Sequence, residues 1–238
     1  MVEQETILGF IPARGGSKGL IGKNLYPILD KPLLQYTLDE VQKSQYLNDL
    51  MLSSEDAEIN AFAQKCGLTG DYVRPVELAA DSVTNVEVLM HALDWLEARD
   101  RLPDAVVLLQ PTTPLRTVEE IDAAILQFLE SERDSLISVQ PMREHPYKCL
   151  QVQGDDWRYL AQPDTYVSQR QAFDDDYYVI NGAIYIATPQ FLREHRRLAV
   201  AGLSDLFMMD AVSGVDVDDL ADVYQVEALL KMRQAQME

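Results

Sequence analysis

Cysteine is almost absent from this chain. Two occur in 238 residues, Cys66 and Cys149, without a CxxC or any pairing pattern, which argues against a disulfide framework or a thiolate metal site and predicts two reduced, partly buried thiols. Long hydrophobic runs are absent as well. The opening MVEQETILGF has no basic flank and too short an apolar stretch for a signal peptide, and no segment approaches the ~20 apolar residues of a membrane helix. The expectation is a cytoplasmic protein with no membrane partner. Positive charge is scarce: 20 Lys and Arg face 39 Asp and Glu, a net charge of −19. A field of that sign repels polyanions, so nucleic acid is excluded as a partner and any phosphate the chain binds must belong to a small molecule. Much of the acid, including Asp94, Glu97, Glu119, Glu120 and Asp122, falls in helical stretches and reads as solvated surface.

What is present is apolar content of 47%, enough for a substantial core, at a length that suits a single domain over residues 1–238 with one insertion. Thr6 to Ile11 is an apolar run that meets Pro12 and two glycines, which predicts a buried first strand ending in a loop. From Pro32, Leu33, Tyr36 and Thr37 fall at helical spacing, and Leu50 to Ser53 reads as a second strand. Ala57 to Cys66 is helix-like. Val86, Leu89, Met90, Leu93 and Leu96 form a second helical stripe, AVVLL at Ala105 to Leu109 a continuous buried strand, and Val118, Ile121, Ile125 and Leu129 a third stripe before a strand at Leu136 to Val139. Such alternation predicts an α/β fold, a mainly parallel sheet flanked by helices, with ligands beyond the carboxyl ends of its strands. Between about 141 and 179 the alternation stops. There Gly154-Asp155-Asp156 separates YKCLQV from WRYLA, which predicts an inserted β-hairpin arm. Strand returns at Ala183 to Ala187, and Leu220 to Leu230 supplies a closing helix.

The densest chemistry lies in Pro12 to Asn24, PARGGSKGLIGKN, where Arg14, Lys18 and Lys23 are interleaved with four glycines directly after the first strand. Glycine admits close backbone approach, and exposed N–H groups with Lys and Arg suit a polyphosphate. The spacing is not that of a P-loop, because Ser17 stands where its first glycine belongs and Asn24 where Ser or Thr must follow the lysine. It also fails G-x-G-x-x-G, which argues against a nicotinamide dinucleotide. Toward the other end, Asp216 and Asp218 in GVDVDD stand two apart in what reads as a strand end, so both project to one face. Such a pair suits a hard divalent cation that also bridges phosphate oxygens; it equally suits the start of a helix, with Asp219 as the N-terminal carboxylate.

Six blocks, IPARGGSKGLIGKN, LSSED (Leu52 to Asp56), RPVELAAD (Arg74 to Asp81), LLQPTTPLR (Leu108 to Arg116), NGAIYI (Asn181 to Ile186) and VDVD (Val215 to Asp218), occur in an order and spread that resemble the acylneuraminate cytidylyltransferases. These are the synthetases of CMP-sialic acid and related CMP-nonulosonates. The resemblance implies a Rossmann-like sheet, transfer of CMP from CTP to the anomeric hydroxyl of a nonulosonic acid, and release of pyrophosphate. Arg14, Ser17, Lys18, Lys23 and Asn24 match the triphosphate loop, with Arg14 and Lys18 stabilising the leaving pyrophosphate. Arg74 matches a position at the cytosine end of CTP. Gln110, Asn181 and Tyr185 match sugar-pocket positions, although Tyr185 also suits a core aromatic. Thr117 reads as the cap of the helix that begins at Val118. Asp216 and Asp218 match the ligands of Mg²⁺ or Mn²⁺, with Asp216 near the site of deprotonation. Lys148 and Arg170 match cations that grip the sugar carboxylate from the neighbouring subunit, so the inserted arm is expected to dimerise and to share the active site. None of His91, His145 and His195 is given a catalytic role.

Other readings stay open. Within the nonulosonates, neuraminate, legionaminate and pseudaminate are not separated: Leu198 to Leu203 lacks the adjacent aromatics that sialate members often carry, and Val179-Ile180 replaces a commoner Arg-Pro. Asn85 stands where some relatives have Ser and is left out of the site. A synthetase for the eight-carbon sugar KDO is the nearest rival. A non-catalytic sugar-nucleotide-binding protein is the alternative of a different class, disfavoured by the presence of Arg14, Lys18, Lys23, Gln110, Asp216 and Asp218 together.

Overall fold

The structure, a computed structural model, describes residues 5–161 and 176–237. Strand β1 (Ile7–Pro12) is buried over nearly its whole length, as expected of a strand covered by helices on both faces. It pairs in parallel with β4 (Asp49–Ser53) on one side and β5 (Ala105–Leu108) on the other. The sheet extends through β9 (Tyr178–Ala187), β6 (Ser135–Pro141) and β10 (Ser204–Met208), in the order β10-β6-β9-β5-β1-β4. β6 and β10 are parallel, whereas β9 runs antiparallel to both of its neighbours. The short strands β2 (Pro27–Ile28) and β3 (Lys31–Pro32) form a separate small hairpin.

Helices α1 (Leu33–Val41), α2 (Ala57–Lys65) and α4 (Val118–Glu130) bury their apolar stripes with Leu38, Ile59, Ile121 and Ile125 on one side of the sheet. On the other side, α3 (Asn85–Glu97) and α5 (Pro189–His195) pack Leu89, Leu93, Phe191 and Leu192. Local chemistry fixes where these helices start. Thr84 and Thr117 each close a capping box, with Glu87 and Glu120, and Asp56 accepts from the backbone N–H groups of Glu58 and Ile59.

A third apolar cluster is the one that shapes the site. It joins Leu20 of the glycine-rich loop, Val215 and Val217 of the acidic segment, and Val223 and Val226 of α6 (Leu220–Met237). Burying alternate residues leaves Asp216 and Asp218 exposed on the same side. This is the outcome expected of a strand end, but Val215 to Asp218 is not a strand: it is extended chain outside the sheet, anchored by the Val217 N–H to the Thr112 carbonyl at 2.7 Å. The arm is a hairpin of β7 (Leu150–Gln153) and β8 (Asp156–Tyr159), closed by Gly154 at φ +62° and Asp155 and standing between β6 and β9 in the chain. β10 and α5 have no counterpart in the sequence reading, and β9 begins five residues earlier than the strand expected at Ala183.

Candidate active site

The loop after β1 is held from several directions. The Ala13 N–H donates to the Ser53 carbonyl at 2.9 Å, the Gly15 N–H to the Glu55 carboxylate at 2.7 Å, and the Asn24 side-chain amide to the Arg14 carbonyl at 2.8 Å. A Cβ on Gly19 would collide with the Asp218 carbonyl oxygen, so only glycine lets loop and acidic segment touch. Gly22, at φ +66°, turns the chain into a short 3-10 turn carrying Lys23 and Asn24.

Each cation of the loop meets a carboxylate. Arg14 and Lys18 each lie 2.7 Å from Asp81, one on either oxygen. These bonds, from Lys18 first and then Arg14, hold Asp81 below the usual carboxylate range. Lys23 donates to Asp218 and to the Val217 carbonyl, both at 2.9 Å, tying the glycine-rich loop to the acidic segment. Asp216 stays in contact with solvent at the cleft, yet the surrounding protein pushes its pKa up; a hydrogen bond from Thr112 acts the other way, and nearby Asp218 adds to the rise.

Arg74 is buried beside this loop, donating from Nε and Nη2 to the hydroxyl and carbonyl of Ser53 at 3.0 and 2.8 Å, and burial lowers its pKa. With Arg14, Ser17, Lys23 and Asn24 from one wall and Gln110, Asp216 and Asp218 from the other, it lines an open cleft of about 1100 Å³. A second cleft of about 1030 Å³ adjoins it, walled by Asn181, Tyr185, Val179, Ile180 and Arg143. Gln110 and Asp216 line both. Burial and then Asp216 raise the pKa of Tyr185. The Asn181 carboxamide oxygen accepts from the Ser138 hydroxyl at 2.6 Å and from the Ala183 N–H at 3.1 Å.

The Gln110 loop has a brace that the sequence did not flag as functional. Arg116 is 2% exposed and donates to four oxygens: the carbonyls of Gln110 (3.3 Å) and Ala183 (2.6 Å) and the hydroxyls of Thr113 (2.8 Å) and Thr37 (3.0 Å). Desolvation lowers its pKa to about 10.

The structure thus brings Arg14, Ser17, Lys23, Asn24, Arg74, Gln110, Asp216 and Asp218 to one cleft, and Asn181 and Tyr185 to its neighbour. Lys18 enters through the same Asp81 carboxylate as Arg14. Lys148 does not join them: it ends a short turn after Pro146, exposed, and lines neither cleft. Arg170 lies outside the described residues. Asp81 and Thr112 line the first cleft without having been singled out, and Asn85, weighed and left out of the site, lines it too. The first two stand inside quoted blocks, and Asn85 opens α3, where its polarity is indistinguishable from that of an ordinary helix start.

A cytidylyltransferase family model matches residues 8–183. The chain is 28% identical over 229 residues, 96% of its own length and 97% of the other's, to a CMP-N,N'-diacetyllegionaminic acid synthase of Legionella pneumophila. An N-acylneuraminate cytidylyltransferase of Escherichia coli is 31% identical over 217 residues, which span 91% of this chain and 50% of that longer protein. Among solved structures, a CMP:2-keto-3-deoxy-manno-octonic acid synthetase complexed with CTP aligns with a TM-score of 0.72 at 19% identity, over 96% of this chain and 99% of the other. That likeness supports the fold. Since the family match runs from β1 into β9 and so takes in the glycine-rich loop, Arg74 and the Gln110 loop, this chain belongs to the cytidylyltransferase family.

Proposed function

We propose that this cytidylyltransferase transfers CMP from CTP to the anomeric hydroxyl of a nonulosonic acid, forming the CMP-sugar and pyrophosphate. The observation that carries this reading is the wall shared by the two clefts. A nucleotide lying along the phosphate loop and a sugar in the adjoining cleft would meet at Gln110 and Asp216. Relatives named for legionaminic and neuraminic acids support the sugar class.

In this reaction the anomeric oxygen bonds to the α-phosphorus, the bond from that phosphorus to the bridging oxygen breaks, and pyrophosphate departs against Arg14, Lys18 and Lys23. These cations oppose the charge that builds in the transition state. The hydroxyl proton leaves to a water in the open cleft beside Asp216. Asp216 and Asp218 also fit Mg²⁺ or Mn²⁺, because a carboxylate whose charge is disfavoured by burial is relieved by an added cation. Among the described residues no cluster of three metal-binding side chains forms, which suits an ion that keeps waters and substrate oxygens in its shell. Such an ion, when bound, supplies further neutralisation of phosphate charge.

The arm supports a homodimer as part of the same proposal. Leu150, Val152, Trp157 and Leu160 are each more than half exposed on or beside an isolated two-stranded hairpin, a surface that gains from burial against a second copy. Lys148, remote from its own clefts, would then serve the partner's, together with Arg170. No helix among the described residues is long and apolar enough to cross a membrane, and a CTP-consuming enzyme of this kind belongs in the cytoplasm. The test is pyrophosphate release from CTP with N-acetylneuraminic, diacetyllegionaminic and diacetylpseudaminic acids, with KDO, and with no sugar. Release with KDO alone, or with no acceptor at all, would reject the nonulosonate reading.

A further inference from the structure

The second cleft is an awkward place for an acid. Asp216 and Asp222 both line it, in a protein of net charge −19, so a carboxylate entering it meets two like charges. Of its lining side chains among the described residues, only Arg143 is cationic; apart from Asp216 and Asp222 the rest are apolar or neutral. Arg143 follows β6 by two residues, at the carboxyl end of the strand. The chain leading up to it is paired: Gln140 and Pro141 pair with Val179 and Tyr178 of β9, and the Met142 N–H extends that ladder to the Tyr177 carbonyl at 2.9 Å. A residue that follows directly on this ladder and is exposed can present a guanidinium to the cleft without burying it.

We infer that Arg143 grips the carboxylate of the acceptor sugar within its own subunit and thereby selects acidic over neutral sugars, an assignment that rests on the proposed nonulosonate reaction. In a nonulosonic acid the carboxylate and the reacting hydroxyl hang on the same carbon. The cation that holds the acid must therefore sit within side-chain reach of the atoms that accept the proton and steer the attack. Arg143 and Asp216 share one cleft, and an arginine's long stem and flat, two-pronged donor face suit a carboxylate that must be held in one orientation. Arg143 also offsets the repulsion from Asp216 and Asp222. Cations offered by a partner's arm would act on the same carboxylate, so their loss and that of Arg143 should be coupled rather than additive, and the mixed-dimer test below tells them apart.

The experiment compares wild type, Arg143→Gln and Arg143→Lys with N-acetylneuraminic acid and its methyl ester, by turnover in CTP and by calorimetric binding. Loss of one charge-assisted pair is expected to raise KM and Kd for the acid by about tenfold or more in Arg143→Gln, with KM for CTP within about twofold of wild type. Binding of the ester should not change, and Arg143→Lys should recover part of the loss, a pattern that disturbed folding would not produce. Mixed dimers of Arg143→Gln with Arg14→Ala should regain no activity, since both lesions fall within a subunit's own site. Equal weakening of acid and ester, or unchanged affinity for the acid, overturns the assignment of Arg143. If wild type binds the acid without turning it over, the reaction proposed above fails while the binding comparison still decides the role of Arg143.

Discussion

Arg116 is a buried cation with no ion pair to a carboxylate among the described residues, held instead by four oxygens. It joins α1 through Thr37, β9 through Ala183 and the Gln110 loop in one network. Arg116→Met keeps much of the volume but strands those acceptors, so stability should fall by about 3 kcal/mol, read as a lower denaturant midpoint at unchanged slope. Turnover of the folded fraction should fall as well, because Gln110 loses its brace. A midpoint equal to wild type would show that the network carries no weight. Asp216 makes the opposite trade. Its raised pKa means that the folded state binds that proton more tightly than the unfolded chain does. The ionised carboxylate therefore costs stability at neutral pH, and the cost fades as pH falls through the folded pKa toward the ordinary value of 3.8. In EDTA, Asp216→Asn should melt higher than wild type at pH 7 and converge with it near pH 4, while turnover with metal falls by ~100-fold or more. A variant that melts lower at pH 7 would contradict this account. The sequence displayed these two residues unequally. Asp216 stood out as one of a pair of acids at alternate positions, whereas Arg116 looked like the end of a motif, because nothing in one dimension shows that an arginine will be buried.

At the scale of an element, the glycine-rich loop is closed by a carboxylate from elsewhere in the chain. Asp81, just beyond the short 3-10 turn at Val76–Ala79, takes Arg14 on one oxygen and Lys18 on the other, much as two phosphate oxygens would. The pairs are exposed and individually weak, but an incoming triphosphate must displace both. Asp81→Asn should therefore lower KM for CTP by a few-fold, most visibly at low ionic strength. Lowering the pH to 5 should not reproduce the effect, since the two cations keep Asp81 ionised below the ordinary carboxylate range. An unchanged KM with a fall in kcat would instead make Asp81 part of the chemistry. Elements were legible where local chemistry agreed with pattern. The stripes of α3 and α4 come with threonine caps and a glutamate three residues on, and the continuous apolar runs of β1 and β5 reflect helices on both faces. They were illegible where tertiary pairing decides. β10, SDLFM, is an edge strand with half-buried and exposed positions and no strong period, and the early part of β9, exposed from Tyr178 to Ile180, forms because β6 runs alongside it. Val215 to Asp218 alternates like a strand because α6 and the phosphate loop take its valines, not because a neighbouring strand pairs with it.

For the whole molecule, the six blocks that resemble the family lie apart in sequence and converge in space because β1, β4 and β5 are parallel and deliver their loops to one edge. A net charge of −19 disfavours polyanions, so under the proposed reaction the few cations at that edge would carry the selectivity for a small phosphate. Lys148 is the exception to the convergence, and the proposed homodimer would give it a role. It stands on the approach to an arm whose apolar side chains are exposed, and it lines neither cleft of its own chain. If the arm carries Lys148 and Arg170 to the partner, Arg14→Ala disables a subunit's own site while the double variant Lys148→Ala/Arg170→Ala disables its partner's. Each homodimer should be nearly inactive. In a mixed dimer one site collects both lesions and the other collects none, so equal mixing with random exchange should restore about a quarter of wild-type activity for a two-fold dimer. Clamps acting within a subunit would leave every site with a lesion, and verified exchange would then restore nothing. A single species of monomer mass at assay concentration, fully active, would reject the shared site outright. The arm variant Trp157→Asp separates assembly from clamping, because it should abolish dimers by placing a charge in the apolar contact while leaving Lys148 and Arg170 in place. Its activity should fall with the dimer fraction and recover at higher protein concentration, whereas the activity of Lys148→Ala/Arg170→Ala should not.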